Sequence, residues 1–318
     1  MLTVALALAQ AVPATPAARS PSEIVAAAAA SDWVTIAAED LLVMQLAPDR
    51  DGPSASSGPR RVVIQLMPPP FSQPWIANIR TLAKAHWWDG TSVNRVQDNY
   101  VAQWGDATEK KPLPVGLLTT KAEEYAIRPR PLEAVAGLLR HPGEKAIVAR
   151  IINPYGDPYS AMTAVRKGWP VALNDLAGGS AWPVHCYAMV GVGRDLSPDA
   201  GSGAELYTVI GHAPRHLDRN IAVVGRVVEG MEHLSSLPRG TGPLGVYENP
   251  KQRVPIVSVR LASELPAGER PRVQYLSTES ESFAAYAEAR ANRRDSFFNV
   301  PAGGADICNI PVPVRQAP

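Results

Sequence analysis

The 318-residue chain is nearly neutral and has the composition of a globular protein. Hydrophobic residues make up 46% and charged residues 19%, which provides enough apolar material for a sizeable core. The 31 basic and 30 acidic residues nearly cancel, which argues against nucleic acid as the main partner, because phosphate binding needs a clustered basic excess. The 31 prolines favour strands, turns and loops over long helices.

Residues 1–32 are predicted to be a signal-like segment followed by a linker. Met1 to Ala9 form an apolar run that is too short to cross a bilayer. The small residues that follow could supply a cleavage site, although the positively charged start of a signal peptide is missing. We therefore expect a periplasmic or secreted protein without stable membrane insertion.

Short strands and one helix are predicted next. Apolar runs predict strands at 41–46 and 61–66, joined by a turn rich in Gly, Pro and Ser. A helix is predicted at 72–84, where apolar residues recur at helical spacing. Residues 93–103 have strand character, which ends at Gly105 and Asp106.

The second half of the chain also combines strands with short helices. Residues 107–182 differ in composition and are interpreted as an insertion, with a helix predicted at 131–140. Strand-like runs return at 186–192, 206–211, 221–228 and 254–261. Short helices fit 230–237 and 279–294, and the second of these lies in a C-terminal extension, 262–318. Many short strands with few helices predict a closed or nearly closed β-barrel.

Two blocks of the sequence resemble the cyclophilin family of peptidyl-prolyl cis-trans isomerases. Residues 61–80 are similar to its second strand and first helix, and SVNRVQDNYVAQWGD at 92–106 is similar to its active-site signature. GAELY at 203–207 and the residues up to Gly230 are similar to later segments. The resemblance implies a mainly β fold, namely an eight-stranded antiparallel barrel capped by two helices. This barrel would span 33–261 and be interrupted by the insertion.

The resemblance also implies an enzyme that interconverts the isomers of X-Pro bonds in exported proteins. Its substrates would be proline-containing polypeptides, and it would need no cofactor and no metal. Rotation about a peptide bond costs about 18–20 kcal/mol, so the catalyst must bind the twisted amide better than either planar form.

Two polar residues of the signature match the family's catalytic positions. Arg95 could donate to the prolyl nitrogen as this atom becomes pyramidal, which withdraws its lone pair from conjugation. Gln103 could hold the peptide backbone through its amide group. The walls of an apolar proline pocket would come from Tyr100, Val101, Met189, Tyr207 and Leu217, with His216 at the rim.

Several positions depart from the family's pattern. Substituted positions are Asn94, Gly191, Glu205, Tyr207, His216 and Ile221. These departures motivate an alternative function, a catalytically weak or inactive peptide-binding module or chaperone on the same barrel.

Two smaller signals remain open or weak. Cys186 and Cys308 could form one disulfide in an exported chain, or remain two unpaired buried thiols. His212 and His216 have the spacing of metal ligands, but Pro214 lies between them and makes a helical pair improbable. We therefore predict loop histidines and no metal.

Overall fold

A closed antiparallel barrel forms the centre of the molecule, as predicted. The computed structural model describes residues 18–48, 60–128, 150–151, 157–174 and 179–318, with the backbone alone at 150–151. The predicted helix at 131–140 lies outside the described residues, as does most of the turn between the first two predicted strands.

The described elements are numbered in chain order. The strands are β1 (Trp33–Thr35), β2 (Leu41–Leu46), β3 (Arg60–Leu66), β4 (Ser92–Val96), β5 (Val101–Gly105), β6 (Arg150–Ile151), β7 (Met162–Arg166), β8 (Trp169–Leu173), β9 (Ala181–Pro183), β10 (Met189–Val192), β11 (Leu206–Val209), β12 (Val223–Glu229), β13 (Val254–Leu261), β14 (Val273–Leu276) and β15 (Val314–Gln316). The α-helices are α1 (Pro21–Ala26), α2 (Gln73–Lys84), α3 (Glu232–Ser235) and α4 (Glu281–Ala291).

Eight strands close the barrel in the order β10-β11-β5-β4-β13-β2-β3-β12, and β12 pairs back to β10. The inner side chains of these strands share one hydrophobic core with the apolar face of α2, which includes Trp75, Ile79 and Leu82. Pro74 lies in the first turn of α2, where its missing N–H leaves no intrahelical bond unmade. The helix therefore begins where the sequence predicts it.

Residues 93–103, for which strand character is predicted, form a hairpin of two strands. The strands β4 and β5 are antiparallel neighbours, and the chain reverses between them. Asn99 in this turn has a φ of 49°, a left-handed conformation that asparagine tolerates better than most residues. The reversal brings residues from the two ends of the signature face to face.

The segments outside the barrel form two further sheets. One has the order β1-β14-β15 and joins the N-terminal part of the chain to the C-terminal extension. The other, β6-β7-β8-β9, belongs to the insertion and was not predicted. The outward side chains of the barrel residues Leu41, Val43 and Val63 are buried in a second hydrophobic cluster. This cluster also contains Val273 of the β1-β14-β15 sheet. One side of the barrel is therefore covered by the added segments.

A disulfide and the character of the helices complete the description of the fold. Cys186 and Cys308 are joined by a disulfide, which ties the C-terminal extension to the chain just before β10. None of the helices in the part of the chain that the structure describes has the length and apolar character needed to cross a membrane.

Candidate active site

The β4–β5 hairpin places Arg95 directly opposite Gln103. The two residues are register partners, and the Arg95 Nη1 donates to Gln103 Oε1 at 2.9 Å. The other nitrogens of the guanidinium donate to Gln97 Oε1 at 2.6 Å and to the Leu244 carbonyl at 2.7 Å. These contacts fix the plane of the guanidinium at the barrel surface.

The Arg95 guanidinium is half-buried and carries its charge without a neighbouring anion. No carboxylate of the described residues lies within 4 Å of it. Burial lowers the pKa of Arg95, while Tyr100 and Tyr207 act in the opposite direction. The charge is therefore not neutralised by an ion pair and remains available to a bound group.

An open cleft of about 620 Å³ adjoins Arg95 and Gln103. Its other walls come from Asp106, from the start of the insertion, including Leu113, and from the loop that follows Gly193. The cleft is large enough for a few residues of an extended peptide.

A small apolar cluster lies beside the arginine. It consists of Val101, Tyr207 and Val209, with Tyr100, Leu217 and Ile221 packed against them. The Arg95 guanidinium carbon lies 5.8 Å from the centre of the Tyr100 ring. Four of the predicted pocket residues therefore come together next to the predicted catalytic arginine.

The two remaining predicted pocket residues, His216 and Met189, are not members of this cluster. His216 is exposed, and its ring is nearly parallel to that of Tyr100 with centres 6.1 Å apart, so its place at the rim of a proline pocket stays a prediction. Met189 belongs to the main core of the barrel and not to the cluster around Tyr207. Met189 was named from the family resemblance alone, and its role as a pocket wall stays a prediction.

Glu205 occupies a position that the sequence marked only as a departure from the family's pattern. Its Oε1 accepts the Asp106 N–H at 2.7 Å, and a Cβ on Gly105 would lie 1.9 Å from that oxygen. Burial raises the pKa of Glu205 to about 7, although bonds from Asp106 N–H and the Gln103 side chain counteract it. Gln103 therefore lies between a guanidinium and a carboxyl group.

The raised pKa of Glu205 predicts a pH-dependent effect on stability. Between pH 4.5 and pH 7 the folded state binds the proton more tightly than the unfolded chain, so this carboxyl group destabilises the fold progressively as the pH rises. Glu205→Gln should therefore be more stable than the wild type by about 1–3 kcal/mol at pH 8, and by much less at pH 5. Urea unfolding of both proteins at the two pH values measures this, and an equal difference at both would contradict it.

Sequence reasoning gave no role beside the apolar cluster to His185 and Asp218, although His185 contacts Tyr207 and Asp218 contacts His185. The Tyr207 hydroxyl lies 3.0 Å from His185 Nε2, and His185 Nδ1 lies 2.9 Å from Asp218 Oδ1. The sequence did contain an indication of such a partner. Tyr207 stands where phenylalanine is usual, and a buried tyrosine requires a polar partner for its hydroxyl.

A closed eight-stranded barrel with an arginine and a glutamine beside a small apolar cluster and an open cleft defines a cyclophilin-type protein. The model of the family described as cyclophilin type peptidyl-prolyl cis-trans isomerase/CLD matches residues 61–261, and the chain belongs to this family. No curated protein matches the chain.

A solved structure supports the same fold. The cyclophilin AquaCyp293 from Hirschia baltica is similar to this chain with 21% sequence identity and a TM-score of 0.64. The similarity covers 90% of this chain and 94% of that one, so it includes the added segments as well as the barrel. At this identity the similarity establishes the fold alone.

Proposed function

We propose that the protein catalyses cis-trans isomerisation of X-Pro bonds in exported polypeptides, with Arg95 as the catalytic residue. The observation that carries the proposal is the position of the Arg95 guanidinium, which has no carboxylate partner among the described residues and lies between the apolar cluster around Tyr207 and an open cleft. A proline ring in the pocket would bring its nitrogen close to this cation.

The hydrogen bonds of Arg95 are compatible with this role. A guanidinium has five N–H donors, and three contacts within the protein leave donors for a substrate. Donation to the prolyl nitrogen favours the pyramidal geometry of the twisted amide and therefore lowers the barrier to rotation. Gln103, held by Arg95, would bind the peptide backbone, and the pocket around Val101 and Tyr207 would hold the proline ring.

The export of this protein remains part of the proposal. The disulfide between Cys186 and Cys308 supports it, because disulfides persist in oxidising compartments such as the periplasm. Cell fractionation should find the protein outside the cytoplasm, and a wholly cytoplasmic protein would remove this part of the proposal.

An isomerase assay tests the activity. The wild-type protein should accelerate isomerisation of short X-Pro peptides that differ in the residue before proline, measured against the uncatalysed rate. The substitutions at Asn94, Gly191 and Glu205 favour the alternative, a module that binds peptides without catalysis. Peptide binding without acceleration for any peptide of the panel would establish that alternative and exclude the isomerase.

A further inference from the structure

A chain of buried polar side chains runs from Tyr207 of the apolar cluster to the inserted segment. It begins with the contacts from Tyr207 to His185 and from His185 to Asp218. The second oxygen of Asp218 accepts from Arg215 Nε at 2.7 Å, and Arg215 Nη1 donates to Asp157 Oδ2 at 2.9 Å. We call these five residues the polar chain.

The polar chain is almost completely excluded from solvent. The side chain of His185 is 1% exposed, and those of Asp218, Arg215 and Asp157 are each 3% exposed. Buried charges destabilise a fold unless they are paired with good geometry, and apolar residues of similar volume are often as stable or more so. A phenylalanine at position 207 would not need such a partner, so the polar chain calls for an explanation other than stability.

The Asp218 carboxylate fixes the direction of the hydrogen bonds that it accepts. Burial alone would raise the pKa of Asp218, but bonds from His185 and Arg215 outweigh it and hold that pKa below its usual range. The ionised carboxylate can only accept, so it takes the Nδ1–H of His185 as well as the His185 backbone N–H at 3.0 Å. In neutral His185 the Nε2 is then an acceptor, and the Tyr207 hydroxyl donates to it.

The end of the Tyr207 ring is also fixed by its packing. A Cβ on Gly191 would lie 2.3 Å from both Cζ and the hydroxyl oxygen of Tyr207, so the ring end rests on the bare backbone of this glycine. Its tip is held by His185, and its sides pack with Val101 and Leu217. The hydroxyl end of the ring is therefore restrained both by packing against Gly191 and by the contact with His185.

We propose that His185 and Asp218 are positioning residues that hold Tyr207 as a wall of the proline pocket. Arg215 extends this support to Asp157 of the inserted segment. The inference rests on the proposed function, because it assigns a role in binding the proline ring. The wall contacts that ring in the ground state and in the transition state alike, so loosening it should raise KM more than it lowers kcat.

Paired substitutions of His185 separate its two contacts. His185→Asn can still donate to Asp218 but is too short to reach the Tyr207 hydroxyl, whereas His185→Gln can reach this hydroxyl. We expect His185→Asn to raise KM about threefold to tenfold, the size of one lost hydrogen bond, with kcat within twofold. His185→Gln should recover most of this loss.

Tyr207→Phe completes the experiment. It removes only the hydroxyl and should raise KM as much as His185→Asn does. Combining the two substitutions should add less than twofold, because both remove the same contact. Multiplicative effects, or equal losses in the asparagine and glutamine variants, would overturn the proposal. The unfolding midpoint of each variant shows whether the fold survives.

Two readouts keep this inference separate from the proposed function. A wild type that does not accelerate isomerisation would end the proposed function. In that case the Kd of a proline peptide would be measured for the wild type and the His185 and Tyr207 variants, with the ranking expected for KM. Equal Kd values in all of these proteins would overturn the role of the polar chain. The imidazole nitrogen NMR shifts of His185 need no peptide at all. Tyr207→Phe should move the Nε2 resonance, and an unmoved resonance would show that the contact does not exist in solution.

Discussion

Arg95→Ala should lower kcat/KM for X-Pro isomerisation by about 100-fold or more, because it removes the only proposed donor to the prolyl nitrogen. The interaction forms fully only as the nitrogen becomes pyramidal, so the loss should appear mainly in kcat. The apolar cluster around Tyr207 should remain intact in this variant, because its residues pack with one another. Rates from NMR exchange spectroscopy on one peptide measure the effect.

Two further variants define what the arginine contributes. Arg95→Lys keeps a positive charge but lacks the fork that contacts Gln103, Gln97 and the backbone together, so it should also lose most of the activity. Arg80→Ala removes an arginine of α2 that pairs with Asp40 and does not line the cleft, and should leave the rate unchanged. Wild-type rates in Arg95→Ala would place the chemistry elsewhere.

The barrel and the β4–β5 hairpin were largely predictable because their signals are local. The strand β3, the helix α2 and the residues Arg95 and Gln103 lie within one stretch of fewer than fifty positions. Spacing alone fixes which side chains share a face there. Family membership and the mainly β fold are confirmed, whereas the roles of the site residues and the export of the protein remain predictions.

The inserted sheet could not be predicted for a physical reason. Every residue of β8 is buried, so the sequence WPVAL shows none of the alternation that marks a strand with one solvent-facing side. The two buried faces exist because other segments cover them. The polar chain was hidden in the same way, since His185 and Asp218 meet Tyr207 only in the folded molecule.

Arg226 joins three parts of the molecule that sequence reasoning treated separately. It is a residue of β12 and is buried inside the protein. Its Nε donates to Gln65 Oε1 of the barrel at 2.9 Å, and its Nη1 donates to the Gly168 carbonyl of the insertion at 2.8 Å. The guanidinium lies over Trp169 of the insertion and Tyr275 of the C-terminal extension, 4.8 and 5.6 Å from the ring centres.

Arg226→Ala should therefore destabilise the protein by about 3–5 kcal/mol, through a cavity and two buried acceptors left without donors. Burial lowers the pKa of Arg226 to about 10, so the side chain is still charged at neutral pH and holds both acceptors. Arg226→Met fills much of the space but donates no hydrogen bond, and should fall between the alanine variant and the wild type. Urea unfolding measures all three proteins.

The matched control is Arg61→Ala, on the strand that pairs with β12. Arg61 forms a partly exposed ion pair with Glu229, and such pairs contribute less than about 1 kcal/mol. A loss in Arg226→Ala no larger than in Arg61→Ala would mean that the added segments dock without this residue. A large loss of stability in Arg226→Ala alone would mean that one buried cation holds the insertion and the C-terminal extension against the barrel. This contact lies at β12, where Arg226 is the register partner of Met189 in β10.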